Sequence, residues 1–260
     1  MAGKGTRIGA LCLAFLAGGV AVGSAVVVQT AGVRVSVLSQ VMPYKLPRDK
    51  PAPIAIFVGG HLAAVDGGVP PQLERLRIQV NRHGLLQSRG LPVCRARQVQ
   101  PATTERALAN CGEALIGSGQ FWAHIILPGQ APYPTKGRLL IFNGRQQGRP
   151  TLLAQIYTSH PFNSSFLVNF AIRRVGDGPY GTELTASLPE TLGEWGYLDR
   201  IKLTLKRKYR FGGRRLSYFN AACPAPAGVE RVGFPLAKAT FFFDDQQIAV
   251  RVDKACGVKE

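Results

Sequence analysis

Segment after segment of this chain alternates apolar and polar residues, while only one stretch keeps the wider spacing of a helix. In Leu76-Arg77-Ile78-Gln79-Val80-Asn81, and again in Ile201-Lys202-Leu203-Thr204-Leu205-Lys206, every second residue is apolar. That is the period of a strand with one buried and one wet face. Further strands are expected over 54–58, 121–127, 138–142, 151–158, 166–173, 182–188, 239–243 and 248–252. The 30 glycines and 18 prolines punctuate these runs and read as turns, because apolar segments resume after them. Asn143-Gly144 and Gly176-Asp177-Gly178 supply the positive-φ residues that hairpin turns need. One helix is predicted: Pro101-Ala102-Thr103-Thr104 offers a hydroxyl cap, and Leu108, Cys111, Gly112 and Leu115 follow at helical spacing. Gly117-Ser118-Gly119 follows this helix and reads as its stop. About ten strands with no strand–helix alternation predict an all-β fold, an antiparallel β-sandwich or jelly roll with one short helix.

The head of the chain is of another kind. Lys4 and Arg7 precede an apolar run from Ile8 to Val28, and small residues follow at Gly23-Ser24-Ala25 and Thr30-Ala31-Gly32. Basic, apolar, then small is the order of a secretory signal. Residues 1–31 are therefore expected to be a signal peptide, cleaved near Ala25 or Ala31. Its 21-residue apolar run is long enough to span a bilayer if kept as an anchor, and membrane contact is expected only in that case. Residues 32–53 carry Pro43, Pro47, Pro51 and Pro53 and read as an extended tether or an edge segment wrapped over the domain. Residues 54–260 then form a single β-sandwich domain.

Of five cysteines, Cys12 lies in the head, which leaves an even number, as an oxidised exported domain requires. Proximity in sequence suggests Cys94 with Cys111 and Cys223 with Cys256, although four cysteines allow three connectivities. With both bridges closed no thiol nucleophile remains. Absence of a C-x-x-C pair disfavours zinc and thiol redox chemistry, and the four histidines (His61, His83, His124, His160) show no metal-ligand spacing. No metal and no cofactor are expected.

The formal net charge is +17, or +15 once Lys4 and Arg7 leave with the head. Such an excess attracts polyanions. Its densest expression is Arg200 to Asn220. Gly212-Gly213 forms a two-residue turn there, and the implied register sets Phe211 opposite Arg214, Arg210 opposite Arg215, Tyr209 opposite Leu216 and Lys208 opposite Ser217. Lys202, Lys206, Lys208, Arg210, Arg214 and Arg215, with Tyr209, are the candidate ligand-binding residues. The competing reading is an exposed hairpin whose charges protect a sheet edge. A second candidate is a carboxylate group near aromatics: Glu183, Glu190, Glu194 and Asp199 with Trp195 and Tyr197. Two carboxylates converging at about 5–10 Å would suit sugar hydrolysis, and Glu183, Glu190 and Glu194 are the catalytic candidates. They do not alternate along one strand, and Glu190 and Glu194 fall in a Pro/Gly-rich connection, as solvated loop charges do. No nucleophile elbow or Walker loop is present, and no G-x-G-x-x-G string opens an expected helix as a dinucleotide fingerprint must.

Several strings are distinctive: Gly90-Leu91-Pro92-Val93-Cys94, Pro101-Ala102-Thr103-Thr104-Glu105, Gly137-Arg138-Leu139-Leu140, Trp195-Gly196-Tyr197 and Cys223-Pro224-Ala225-Pro226. With them the chain resembles a family of uncharacterised exported proteins of actinobacteria, over most of its length after residue 53. The resemblance implies export and a bacterial envelope setting; it implies no activity, cofactor or catalytic residue. The expectation is a secreted, non-enzymatic envelope protein whose basic hairpin contacts anionic polymers or a protein partner. A carbohydrate-active jelly-roll enzyme or sugar-binding module is the alternative. Nucleic acid is disfavoured by export and by the lack of a recognition motif.

Overall fold

The computed structural model describes residues 25–176, 178–189 and 196–259. Strands take up 63% of it and helix 7%, so the fold is all-β. Thirteen strands form one sheet. Its first half runs β1 (Val26–Thr30), β2 (Val33–Met42), β5 (Ala55–Ala64), β13 (Gly196–Leu205), β8 (Leu115–Ile125), β9 (Tyr133–Gln146) and β10 (Arg149–Thr158). The second half continues through β11 (Ser164–Arg174), β12 (Tyr180–Ser187), β6 (Leu73–Asn81), β17 (Arg231–Phe243), β18 (Gln247–Lys259) and β3 (Lys45–Pro47). Every pairing is antiparallel except β18 with β3. A three-stranded sheet of β4 (Ala52–Pro53), β16 (Phe219–Ala221) and β7 (Gly84–Leu86), and the hairpin β14 (Lys208–Phe211) with β15 (Arg214–Ser217), complete the strands.

The large sheet curls until its two ends pack together. Val33, Val35 and Leu62 of β2 and β5 share a buried cluster with Phe243, Ile248 and Val250 of β17 and β18. Curling of this degree needs glycine where chains cross closely. A Cβ on Gly119 would collide with the Lys202 carbonyl oxygen. Gly117-Ser118-Gly119 thus lies inside β8 and does not end the helix, which stops at Cys111. Asn143-Gly144 likewise sits within β9 instead of forming a turn. The Asn143 side chain is buried and donates to the Pro92 carbonyl at 2.8 Å, and its own carbonyl accepts from the Cys94 amide at 2.9 Å. Gln147 and Gly148, both at positive φ, make the actual turn.

Strand β9 shows how one sheet serves two cores. Leu139 and Ile141 face the main core, with Ile116, Val168 and the Tyr218-Phe219 pair. Leu140 and Phe142 point the other way, against Val99, Ala107 and the Cys94–Cys111 bridge. The outer cluster is roofed by α1 (Ala96–Val99) and α2 (Thr104–Cys111), the predicted helix, whose cap Thr103 accepts from the Arg106 amide. Cys111 bonds Cys94, with Cα atoms 5.5 Å apart, and so staples α2 to the segment that runs beside β9. Cys223–Cys256 ties the chain after β16 to β18. Two disulfides suit an oxidising compartment outside the cytoplasm.

Residues 32–53, read as an extended tether or an edge segment, enter the sheet as β2 and pair as β3, at its edge, and β4. Val33 and Val35 are buried while Arg34 is exposed, the same alternation seen elsewhere, and Thr30 pairs with Val33 across the Ala31-Gly32 turn. Among the described residues no helix is long and apolar enough to cross a membrane.

Candidate functional site

The two-residue Gly212-Gly213 turn, both glycines at positive φ, sets the register of β14 and β15. Phe211 pairs with Arg214, Arg210 with Arg215, Tyr209 with Leu216 and Lys208 with Ser217, as predicted. The hairpin therefore has two unlike faces. Tyr209 and Leu216 are half-buried, Tyr209 packs on the main core, and its Oη lies 2.9 Å from both the Gln87 and Arg89 carbonyl oxygens. Burial pushes the Tyr209 phenol above its ordinary value, so it stays a protonated donor at neutral pH. Ser217 is buried and its hydroxyl donates to the Phe219 carbonyl at 2.9 Å. Tyr209 is thus an anchor holding the hairpin to the body, on the face away from solvent.

Lys208, Arg210, Arg214 and Arg215 are all exposed. Among the described residues none has a carboxylate within 4 Å. Arg210 and Arg215 stand directly opposite one another, a juxtaposition that costs stability in a two-stranded ribbon. Near the tip, Phe211 lays its ring over Gly90, where any Cβ would collide with it, and Arg89 lies 6.0 Å from the ring centroid. Arg89 is exposed and joins the cationic group. Sequence reasoning missed it because it lies far along the chain from the hairpin, and no local pattern connects them.

The remaining predicted cations divide. Lys206 is exposed in the link between β13 and β14, and its amide donates to the Ile116 carbonyl at 3.0 Å. Neighbouring Arg207 is tied down, its guanidinium donating to the Glu113 carbonyl at 2.9 Å. Lys202 belongs to the large sheet, opposite Gly59 of β5 and Gln120 of β8, with Nζ 5.7 Å from the Trp122 ring centroid.

The carboxylates do not assemble into a pair among the described residues. Glu183 is buried on β12, where Arg173 donates to it at 2.6 Å and the Arg77 guanidinium lies 3.9 Å away. Gln79 adds a longer bond at 3.4 Å. Asp199 lies on β13, separated from β12 in the sheet by β8, β9, β10 and β11, and binds His61 Nε2 at 3.0 Å. Glu190, Glu194 and Trp195 lie outside the described residues. Ser36 faces His61 across β2 and β5. Among the described residues no group of three or more His, Cys, Asp or Glu side chains is placed to hold a metal ion. His124 stacks on Tyr197 at 4.9 Å.

What the geometry defines is an all-β disulfide-bonded domain carrying a docked cationic hairpin that no carboxylate among the described residues neutralises. No family model, curated protein or solved structure matches the chain.

Proposed function

We propose that the protein is exported through its head segment and works in the cell envelope as a non-enzymatic binding protein. Its β14–β15 hairpin holds anionic polymers or an acidic partner. The observation that carries this reading is the lack, among the described residues, of any carboxylate within 4 Å of Lys208, Arg210, Arg214 or Arg215, on a hairpin fixed by Tyr209. Setting Arg210 against Arg215 costs stability, and an anionic ligand held across them would offset that cost. The net charge of +17 and the two disulfides support the envelope setting.

Binding to immobilised polyphosphate and poly-glutamate across a salt series tests this. Retention is expected to fall steeply as salt rises and the exposed charges are screened. Retention indifferent to salt would sink the proposal.

A further inference from the structure

The outer face of the sheet holds a groove across β2, β5 and β13, lined by none of the residues of the β14–β15 hairpin. Its origin is a missing side chain. The outward row formed by β2, β5, β13, β8 and β9 reads Leu38, Gly59, Lys202, Gln120 and Arg138, by the register of the four pairings. Gly59 leaves a floor in this row, and the depression above it has a volume of about 690 Å³. Sites for single small molecules span about 300–1,000 Å³.

The two walls differ in chemistry. On the β2–β5 side stand Leu38 and Phe57, 39% and 40% exposed although large and apolar. On the other side stand Lys202, Arg200 and Arg138, none with a carboxylate within 4 Å among the described residues. Adjacent strands lie about 4.8 Å apart, so Lys202 and Arg138, two strands apart, can close on one anionic group from either side of Gln120. Asp199, the carboxylate beside this wall, is engaged by His61. Apolar on one side and cationic on the other, the groove complements a molecule with the same division.

We infer that the groove floored by Gly59 is a binding site for a single amphiphilic anion, with its apolar tail against Leu38 and Phe57 and its charged head between Lys202, Arg138 and Arg200. The site is independent of the hairpin and holds or fails without it.

The test follows from the floor. A Cβ on Gly59 would meet only ordinary contacts, the nearest being Leu38 Cβ at 3.5 Å, and the residue does not take positive φ. Gly59→Leu therefore fills the groove without forcing the backbone. Calorimetric titration of the full-length protein would use dodecyl phosphate below its micelle concentration as the probe. Inorganic phosphate and dodecyltrimethylammonium are the comparators. Dodecyl phosphate is expected to bind one per chain, at least tenfold tighter than either comparator. Gly59→Leu and Lys202→Glu should each weaken it at least tenfold, with the unfolding midpoint confirming that both variants fold. If Gly59→Leu fails to fold, Lys202→Glu with the two comparators decides. Absent binding, equal binding of the cationic amphiphile or of phosphate alone, or undiminished binding in the folded variants would overturn the assignment. Undiminished binding includes the case of the probe sitting on the apolar head segment.

Discussion

Two arginine-rich surfaces of this molecule are built on opposite plans. On the outer face of β11, β12 and β6, Arg173 and Arg77 converge on the buried Glu183, and Arg77 also stacks on Phe242 with Arg75, at 5.1 and 4.2 Å. On β14–β15, Arg210, Arg214 and Arg215 project without a carboxylate within 4 Å among the described residues. The first surface gives Arg173, Arg77 and Arg75 partners within the fold; the second leaves its cations to solvent and to whatever comes from outside. Charge density alone does not mark a binding surface. What separates these two surfaces is the supply of counter-charge from the chain.

This contrast can be broken by exchanging roles. The largest effect is expected at Glu183. Glu183→Ala removes the acceptor shared by Arg173, Arg77 and Gln79 and should cost about 2 kcal/mol in denaturant unfolding. That is less than for a fully buried pair, because Arg173 and Arg77 can turn to water. A loss below about 0.5 kcal/mol would mean the paired surface is not held by its carboxylate. Next comes the triple reversal Arg210→Glu, Arg214→Glu, Arg215→Glu. It should weaken polyanion binding at least tenfold, about 1.4 kcal/mol, while moving stability by less than about 0.5 kcal/mol. A large stability loss instead would place these arginines in the fold's own economy. Tyr209→Phe removes a hydroxyl bound to two carbonyls and should cost about 1 kcal/mol, with faster amide exchange across β14 and β15. Unchanged exchange would show the hairpin is held by Leu216 and the strand link alone. Smallest is Arg215→Ser, which relieves the repulsion with Arg210 and should stabilise by a few tenths of a kcal/mol, read as a shift in unfolding midpoint.

Much of the architecture follows from local pattern. The strand period in 76–81 and 201–205, the Thr103 cap and the Gly212-Gly213 turn act over a few residues, and each is realised where it was expected. Signals that depend on what packs against the segment behave otherwise. Val33 and Val35 alternate like any strand, yet the prolines from Pro43 onward suggest a tether. Those prolines fall at strand ends and in short pairings, where the missing amide is no loss. Gly117 and Gly119 look like a helix stop because their reason, the close crossing of β13, lies some eighty residues ahead. Asn143-Gly144 has the composition of a turn but is held straight by Pro92 and Cys94. The candidate site divides in the same way. The hairpin's register and its exposed cations are legible because they are local. The inward anchoring of Tyr209, the approach of Arg89 and the capture of Glu183 by Arg77 are not, since each depends on strands brought together by the curl of the sheet.

The most direct test of the central claim is a salt series on isolated bacterial envelope material, comparing the wild-type protein with the Arg210/Arg214/Arg215 reversal and with Arg173→Glu. Salt-sensitive retention that is lost in the hairpin variant and kept, within about twofold, in Arg173→Glu is the predicted result. Equal retention of all three proteins, or loss only in Arg173→Glu, would contradict the account.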